Sequence, residues 1–270
     1  MNQGSKRENV FVSGGFDDIR AKQIRFLEEA SKLGPLTVIL WSDETIYHQT
    51  GRAPKFTEAE RLYFLEAIRF VSKVKVAIGN VNIDSFAVEK DVQPATWVVL
   101  EENDTPQKRG FCNNYKLKYT VLKEADLVGY TEDLKTFDNF PGTRKKVVVT
   151  GCFDWLHSGH VRFFEETSAL GDLYVVLGHD ENVLLLKGEG HPLFPQNERR
   201  YMVQSIRYVK HALVSTGTGW MDAGPEIAQI QPDMYAVNED GDKPEKRAFC
   251  EANGIEYVVL KRLPKEGLPK

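Results

Sequence analysis

The chain has 270 residues, enough at about 150 residues per domain for two domains that each bury a core. Its 35 Lys and Arg against 39 Asp and Glu leave a formal net charge of −4, which disfavours holding a nucleic-acid backbone as the main task. At 41% hydrophobic and 27% charged residues the composition is globular, and the longest apolar runs, such as Leu173 to Leu177, fall far short of the roughly 20 residues that span a bilayer. Taken from the start, Met1 to Asn9 form a polar tail without the apolar core of an export signal. From Val10 to about Glu124 short β-branched runs alternate with helical patterns, and Ala125 to Arg144, with Asp-Asn-Phe-Pro-Gly-Thr near its end, reads as a connector. From Lys145 onward strands are predicted near Lys146–Thr150, Leu173–Leu177, Ala212–Ser215, Met234–Val237 and Glu256–Leu260. Helices are predicted over Val161–Leu170, Asn197–Val209, Pro225–Ile230 and Pro244–Asn253. The expected fold class is α/β, with two tandem doubly wound domains built on parallel sheets: a tail at 1–9, a first repeat at 10–124, a connector at 125–144 and a second domain at 145–270. Cys112, Cys152 and Cys250 cannot all pair and have no metal-ligand spacing, which together with the polar tail suits a cytoplasmic location.

The two halves are copies of each other. At an offset of 137 residues, Phe11-Val-Ser-Gly-Gly-Phe-Asp17 falls on Val148-Val-Thr-Gly-Cys-Phe-Asp154, Arg25-Phe-Leu-Glu-Glu29 on Arg162-Phe-Phe-Glu-Glu166, and Leu33-Gly34 on Leu170-Gly171. After one inserted residue the offset becomes 138, and Pro54-x-Phe56 meets Pro192-x-Phe194, Glu60-Arg61 meets Glu198-Arg199, and Lys108-Arg109-x-Phe-Cys112 meets Lys246-Arg247-x-Phe-Cys250. Collinear blocks interrupted by a single insertion require a tandem duplication.

In doubly wound sheets ligands sit outside the carboxyl ends of the strands, so the residues after the first strand of the second copy are the first candidates. There Thr150-Gly-Cys-Phe-Asp-Trp-Leu-His157-Ser-Gly159-His160 leads into a helix. Gly151 permits close backbone approach, a helix N-terminus offers free N–H groups and partial positive charge, and His157 and His160 are spaced to face one anion, with Gly159 leaving room between them. By itself His-x-x-His would also be given by two surface or capping histidines. Zinc is a third reading, but no third His, Cys or carboxylate stands at convincing spacing, so no metal ligand is assigned to the protein.

In this turn Gly-Cys-Phe-Asp-x-Leu-His-x-Gly-His resembles the signature of the HxGH nucleotidyltransferases, above all the cytidylyltransferases. Lys187-Gly188, Pro192-Leu-Phe194, Asn197-Glu-Arg199-Arg-Tyr201 and Ile206-Arg207-Tyr-Val209 resemble, in order, blocks of the ethanolamine-phosphate, choline-phosphate and glycerol-3-phosphate enzymes. The resemblance implies a Rossmann-like fold and transfer of CMP from CTP to a small phosphorylated alcohol, with release of pyrophosphate and Mg2+ accompanying the triphosphate. It implies catalytic roles for His157, His160 and Lys187, with nucleotide or phosphate contacts from Thr150, Gly151, Cys152, Phe153, Gly159, Arg199 and Arg207. Asp154 and Trp220 are weaker substrate candidates; Trp220 could face a quaternary ammonium or pack in the core. Arg199 and Arg207 have equivalents, Arg61 and Arg69, in the first copy and could equally be structural, whereas Lys187 is replaced there by Thr50. An ATP-dependent adenylyltransferase of a sugar phosphate, heptose-phosphate type, is the alternative, and a non-catalytic nucleotide-binding or scaffold protein the third.

In the first copy His157, Gly159 and His160 become Arg20, Lys22 and Gln23, and Gly178 becomes Trp41. An inactive first domain is expected, packing on the second or forming a homodimer, with a regulatory anion site on Arg20 and Lys22 as the minor alternative. The resembled family carries a C-terminal Arg-Thr/Ser-x-Gly-x-Ser-Thr block that grips the triphosphate, and here the sequence ends as Lys261-Arg-Leu-Pro-Lys-Glu-Gly-Leu-Pro-Lys270. Either Arg262 and Lys265 substitute for it, or the chain is cut short before the block.

Overall fold

Runs such as Val147-Val148-Val149 combine strong β-propensity with apolar side chains on both faces, the pattern of a strand covered by helices on both sides. The computed structural model describes residues 8–88, 93–130, 144–261 and 265–268. The chain divides into two compact units, Met1–Gly129 and Tyr130–Lys270. In the first, β1 (Asn9–Gly14), α1 (Ala21–Ser31), β2 (Leu36–Leu40), α2 (Asp43–Thr50), α3 (Glu58–Ala67), β3 (Lys73–Val76), β4 (Ala95–Leu100), α4 (Pro106–Tyr115) and β5 (Lys118–Leu122) follow one another. In the second the order is β6 (Lys146–Gly151), α5 (Ser158–Leu170), β7 (Asp172–Leu177), α6 (Asp180–Lys187), α7 (Gln196–Gln204), β8 (Val209–Val214), α8 (Gly224–Ile230), β9 (Met234–Asn238), α9 (Pro244–Ala252) and β10 (Glu256–Leu260).

Each unit is one five-stranded parallel sheet, in the orders β3-β2-β1-β4-β5 and β8-β7-β6-β9-β10. Strand direction and order are therefore the same in both, an α/β Rossmann-like arrangement whose order reverses between β1 and β4 and between β6 and β9. At such a reversal the flanking connections leave in opposite directions and a crevice opens outside the carboxyl ends of the strands. The turn from first helix to second strand is set by glycine in both copies. A Cβ on Gly34 would stand 2.0 Å from the Glu8 carbonyl oxygen, and one on Gly171 would stand 2.2 Å from that of Lys145.

One face of the second sheet buries Val148, Tyr174, Val176, Tyr235 and Val237 against Ile227 and Ile230 of α8 and Cys250 of α9. The first unit does this differently. Where α8 stands in the second copy, the described residues of the first are irregular, and Phe86 packs there against Phe11 and Trp97 at ring-centroid distances of 5.2 and 5.0 Å. Helix α6 is absent from the sequence-based expectation because its N-cap is a histidine rather than one of the usual oxygen donors; His179 Nδ1 accepts the Asn182 N–H at 3.3 Å. Helix α7 ends five residues earlier than expected, and Val209 is the first residue of β8. Tertiary pairing with β7 takes Val209 into the sheet although the apolar spacing of Ile206 and Val209 continues a helical pattern.

Candidate functional site

The strand-to-helix turn after β6 is wound tightly, and Phe153 carries a left-handed backbone (φ 49°) there, as Phe16 does (φ 47°) after β1. A non-glycine residue adopts this conformation only when its surroundings hold it. The buried Phe153 ring lies over Gly151, packs on Phe164 at 5.1 Å and meets His160 edge-on at 5.3 Å. A Cβ on Gly151 would come within 2.9 Å of that ring. The glycine expected to admit a phosphate thus first admits the Phe153 ring, which in turn seats His160.

The turn delivers His157 as the N-cap of α5, its Nδ1 accepting the Gly159 N–H at 3.1 Å. That bond assigns the proton of the neutral ring to Nε2, the donor form that a phosphate oxygen needs. His157 and His160 have ring centroids 4.1 Å apart at the N-terminus of a 13-residue helix, so two imidazoles and the helix dipole converge on one spot. Gly159 fits because a Cβ there would stand 2.9 Å from His157 Cε1. Lys187 closes α6, exposed, near enough to the Cys152 thiol for its positive charge to act on it. Burial raises the pKa of that half-buried thiol, and the charges of Lys187 and Arg199 offset only part of the rise. The structure therefore brings His157, His160, Gly159, Cys152 and Lys187 together at the carboxyl edge of the sheet.

Other candidates are engaged elsewhere. Arg199, expected on a phosphate, is 1% exposed and donates to the carbonyls of Phe194 (2.9 Å), Cys152 (2.7 Å) and Gly178 (2.8 Å) and to the Asp180 carboxylate (2.8 Å). Arg61 does the same in the first unit, on Phe56, Gly15, Trp41 and Asp43. This guanidinium is a bracket between strand ends, needed with or without chemistry. Arg207 is exposed and precedes β8, at the opposite end of the sheet; the strand alone separates the two ends by about 16 Å, too far to share a phosphate with His160. Thr150 is hydrogen-bonded through its hydroxyl to the buried Tyr235 phenol, tying β6 to β9. Asp154 accepts the N–H groups of Leu193 (2.7 Å) and Phe194 (3.1 Å) and an Nδ1–H from His191 (2.9 Å). Burial works to raise its pKa, but these hydrogen bonds and Arg199 hold it, net, below the ordinary aspartate value. Trp220 stands exposed in a turn at Gly219–Met221 rather than in the core. Lys265 pairs with Glu165 at 2.9 Å, more than a turn down α5 from His160, and Arg262 lies outside the described residues. The tail through residue 7 and residues 131–143 of the connector lie outside them as well.

In the first unit the same place is neutralised. Arg20 is paired with Asp18, and Lys22 stands 3.4 Å from Glu102 and 3.9 Å from Glu124. A cavity of about 250 Å³ persists at its β1/β4 reversal, lined by Phe16, Trp41, Gln23, Glu102 and Lys108 among others. Sequence reasoning missed His179 and His191. His179 is structural, its Nε2–H reaching the Gly217 carbonyl at 2.9 Å. For His191 the sequence carries one signal, its replacement by Ala53 in the first copy.

A parallel sheet with paired imidazoles at the first strand-to-helix turn defines a nucleotidyl-transfer type of α/β domain. Residues 148–250 match the family described as cytidylyltransferase-like, and the chain belongs to that family, within the HxGH nucleotidyltransferase superfamily. It is 37% identical over 120 residues to an FAD synthase of Methanolacinia petrolearia, covering 43% of this chain and 77% of that protein. An FAD synthase of Ferroglobus placidus is 36% identical over 125 residues, covering 45% and 78%. The bifunctional protein HldE of Campylobacter concisus is 33% identical over 168 residues, 62% of this chain and 33% of that one. The crystal structure of a lipopolysaccharide core biosynthesis protein from Thermoplasma volcanium matches with a TM-score of 0.39 and 23% identity, over 45% of this chain and 99% of that one. Neither the FAD synthases nor HldE is named as a CTP:phosphoalcohol enzyme, so these relatives favour the alternative over the cytidylyl expectation. No helix among the described residues is long and apolar enough to cross a membrane.

Proposed function

We propose that the second unit transfers AMP from ATP to the phosphate of a small phosphorylated acceptor and releases pyrophosphate. The observation that carries this reading is the pair of imidazoles 4.1 Å apart at the N-terminus of α5, present in the second unit and replaced in the first. Adenine rather than cytosine is favoured because FAD, the product named for two of the relatives, contains an adenylyl group. In the reaction an acceptor phosphate oxygen forms a bond to the α-phosphorus as the bond from that phosphorus to the β-phosphate oxygen breaks, and the electron pair leaves with pyrophosphate. An acceptor phosphate is already ionised at neutral pH, so the chain supplies position and charge rather than a nucleophile or a base. His157 and His160 donate to the phosphates on which charge develops, and Lys187 bridges the α-phosphate and the incoming phosphate. Mg2+, bound to the triphosphate, would neutralise further charge. Among the described residues no group of three or more His, Cys, Asp or Glu could hold a metal ion. The first unit is assigned a structural role.

Calorimetric titration of ATP, CTP, GTP and UTP with magnesium tests base choice, followed by pyrophosphate release with phosphorylated acceptors such as FMN, sugar phosphates and phosphocholine. ATP preference with turnover lost by about 10²-fold or more in His160→Ala, at unchanged melting temperature, is the expected result. CTP preference would restore the phosphoalcohol reading. Binding without turnover by any acceptor would leave a nucleotide-binding scaffold.

A further inference from the structure

The duplication provides an internal control on which residues serve the scaffold. Asp17 and Asp154 both accept two backbone N–H groups from the following loop, and Arg61 and Arg199 make matching brackets, so these residues are needed whether or not a unit does chemistry. Among the positions that differ, His157, His160 and Lys187 against Arg20, Gln23 and Thr50 are assigned to chemistry. A fourth difference belongs with them. His191 has Ala53 as its counterpart, and the loop of the first unit closes onto Asp17 without any side chain there.

His191 is placed in the way a working histidine is placed. It lies on the loop that runs from Lys187 back to the β6 turn, and its Nδ1–H donates to Asp154, three residues before His157, at 2.9 Å. The Asp154 carboxylate is almost fully buried and fixed by two backbone N–H groups, so the ring it holds is fixed too. The imidazole is 38% exposed, and among the described residues its Nε2 has no hydrogen-bond partner. A buried carboxylate orienting an imidazole whose far nitrogen faces outward is an arrangement for presenting Nε2 to a ligand.

We propose that His191, oriented by Asp154, is a third imidazole of the site and, as the imidazolium with Nδ1–H on that carboxylate, donates through Nε2–H to the phosphate of the acceptor. This rests on the nucleotidyl-transfer reading and deepens it. His157 and His160 sit at the helix terminus where the triphosphate is gathered, while His191 stands on the loop that follows Lys187, the residue assigned to the incoming phosphate, and is held to Asp154 in the same strand-to-helix turn. Acceptor and nucleotide would then be held by different imidazoles, and an acceptor without a phosphate would lose the contact.

Inorganic phosphate is the probe, titrated by 31P NMR into the full chain saturated with magnesium and α,β-methylene-ATP. His191→Ala removes both the latch to Asp154 and the Nε2 contact; His191→Asn keeps an N–H for Asp154 and removes only Nε2. Both variants are expected to weaken phosphate binding on the order of tenfold or more, the usual loss of one charge-assisted hydrogen bond, with affinity for the analogue unchanged. Wild-type phosphate affinity in His191→Asn would mean that the residue only pins the loop, and would overturn the proposal. So would wild-type affinity in both variants, or a wild-type protein that binds the analogue but no phosphate. Failure of the wild-type protein to bind the analogue at all would defeat the nucleotidyl-transfer reading itself, and this inference with it.

Discussion

Replacing Arg199 by methionine separates a structural bracket from a phosphate ligand. The side chain is about the same length and apolar, so it fills the space, but it leaves the carbonyls of Cys152, Gly178 and Phe194 without the donors they have at 2.7 to 2.9 Å. Each buried acceptor left unsatisfied costs about 1 kcal/mol or more. The ion pair with Asp180 adds less, because that carboxylate is 40% exposed. The sum is about 3–5 kcal/mol, in the range found for breaking a buried charged network. For a unit of this size that corresponds to a fall of about 10–15 °C in the melting temperature, read by calorimetry or circular dichroism. Arg61→Met should cost a similar amount, since Arg61 has the same acceptors without the histidines. An Arg199→Met protein that melts within about 1 °C of wild type but no longer binds nucleotide would refute the reasoning and return Arg199 to the phosphates.

Gly159→Ala should leave stability close to wild type, because alanine is the better helix former by about 1 kcal/mol but its Cβ displaces the His157 ring, which costs the N-cap bond a similar amount and lowers kcat; kcat and melting temperature measured on one preparation check this. Asp154 has a folded pKa below its unfolded value near 3.9, so it contributes stability that is present above about pH 4 and lost as pH falls through the folded value. Asp154→Asn should therefore be less stable at pH 7 and lose less on going to pH 3, as urea titrations at the two pH values would read. With Arg20 and Lys22 already paired to carboxylates, the first unit should not take a triphosphate. Calorimetry should give one nucleotide per chain, abolished in His157→Ala/His160→Ala; a second equivalent surviving in that variant would contradict this.

The duplication, the α/β class, the parallel strands and the imidazole pair are determined by local sequence. Strand patterns need only runs of valine and isoleucine between helical periods, and His157-Ser-Gly-His160 needs only a helix start to converge. Chain order alone could not say where a long side chain ends up. Arg199 and Arg207 stand eight residues apart, yet the fold buries the first between two strand ends and leaves the second at the far edge of the sheet. Gly151 and Gly159 were readable as space for a phosphate, and the tertiary structure shows aromatic and imidazole rings using that space. The pairing of Asp154 with His191 joins residues 37 apart across a loop closure, and its absence from the first copy became meaningful only when the carboxylate was seen to hold the ring. Hydrogen-bond partners at such separations are chosen by packing rather than by spacing, because a guanidinium or carboxylate taken out of water must find its partners wherever the fold supplies them.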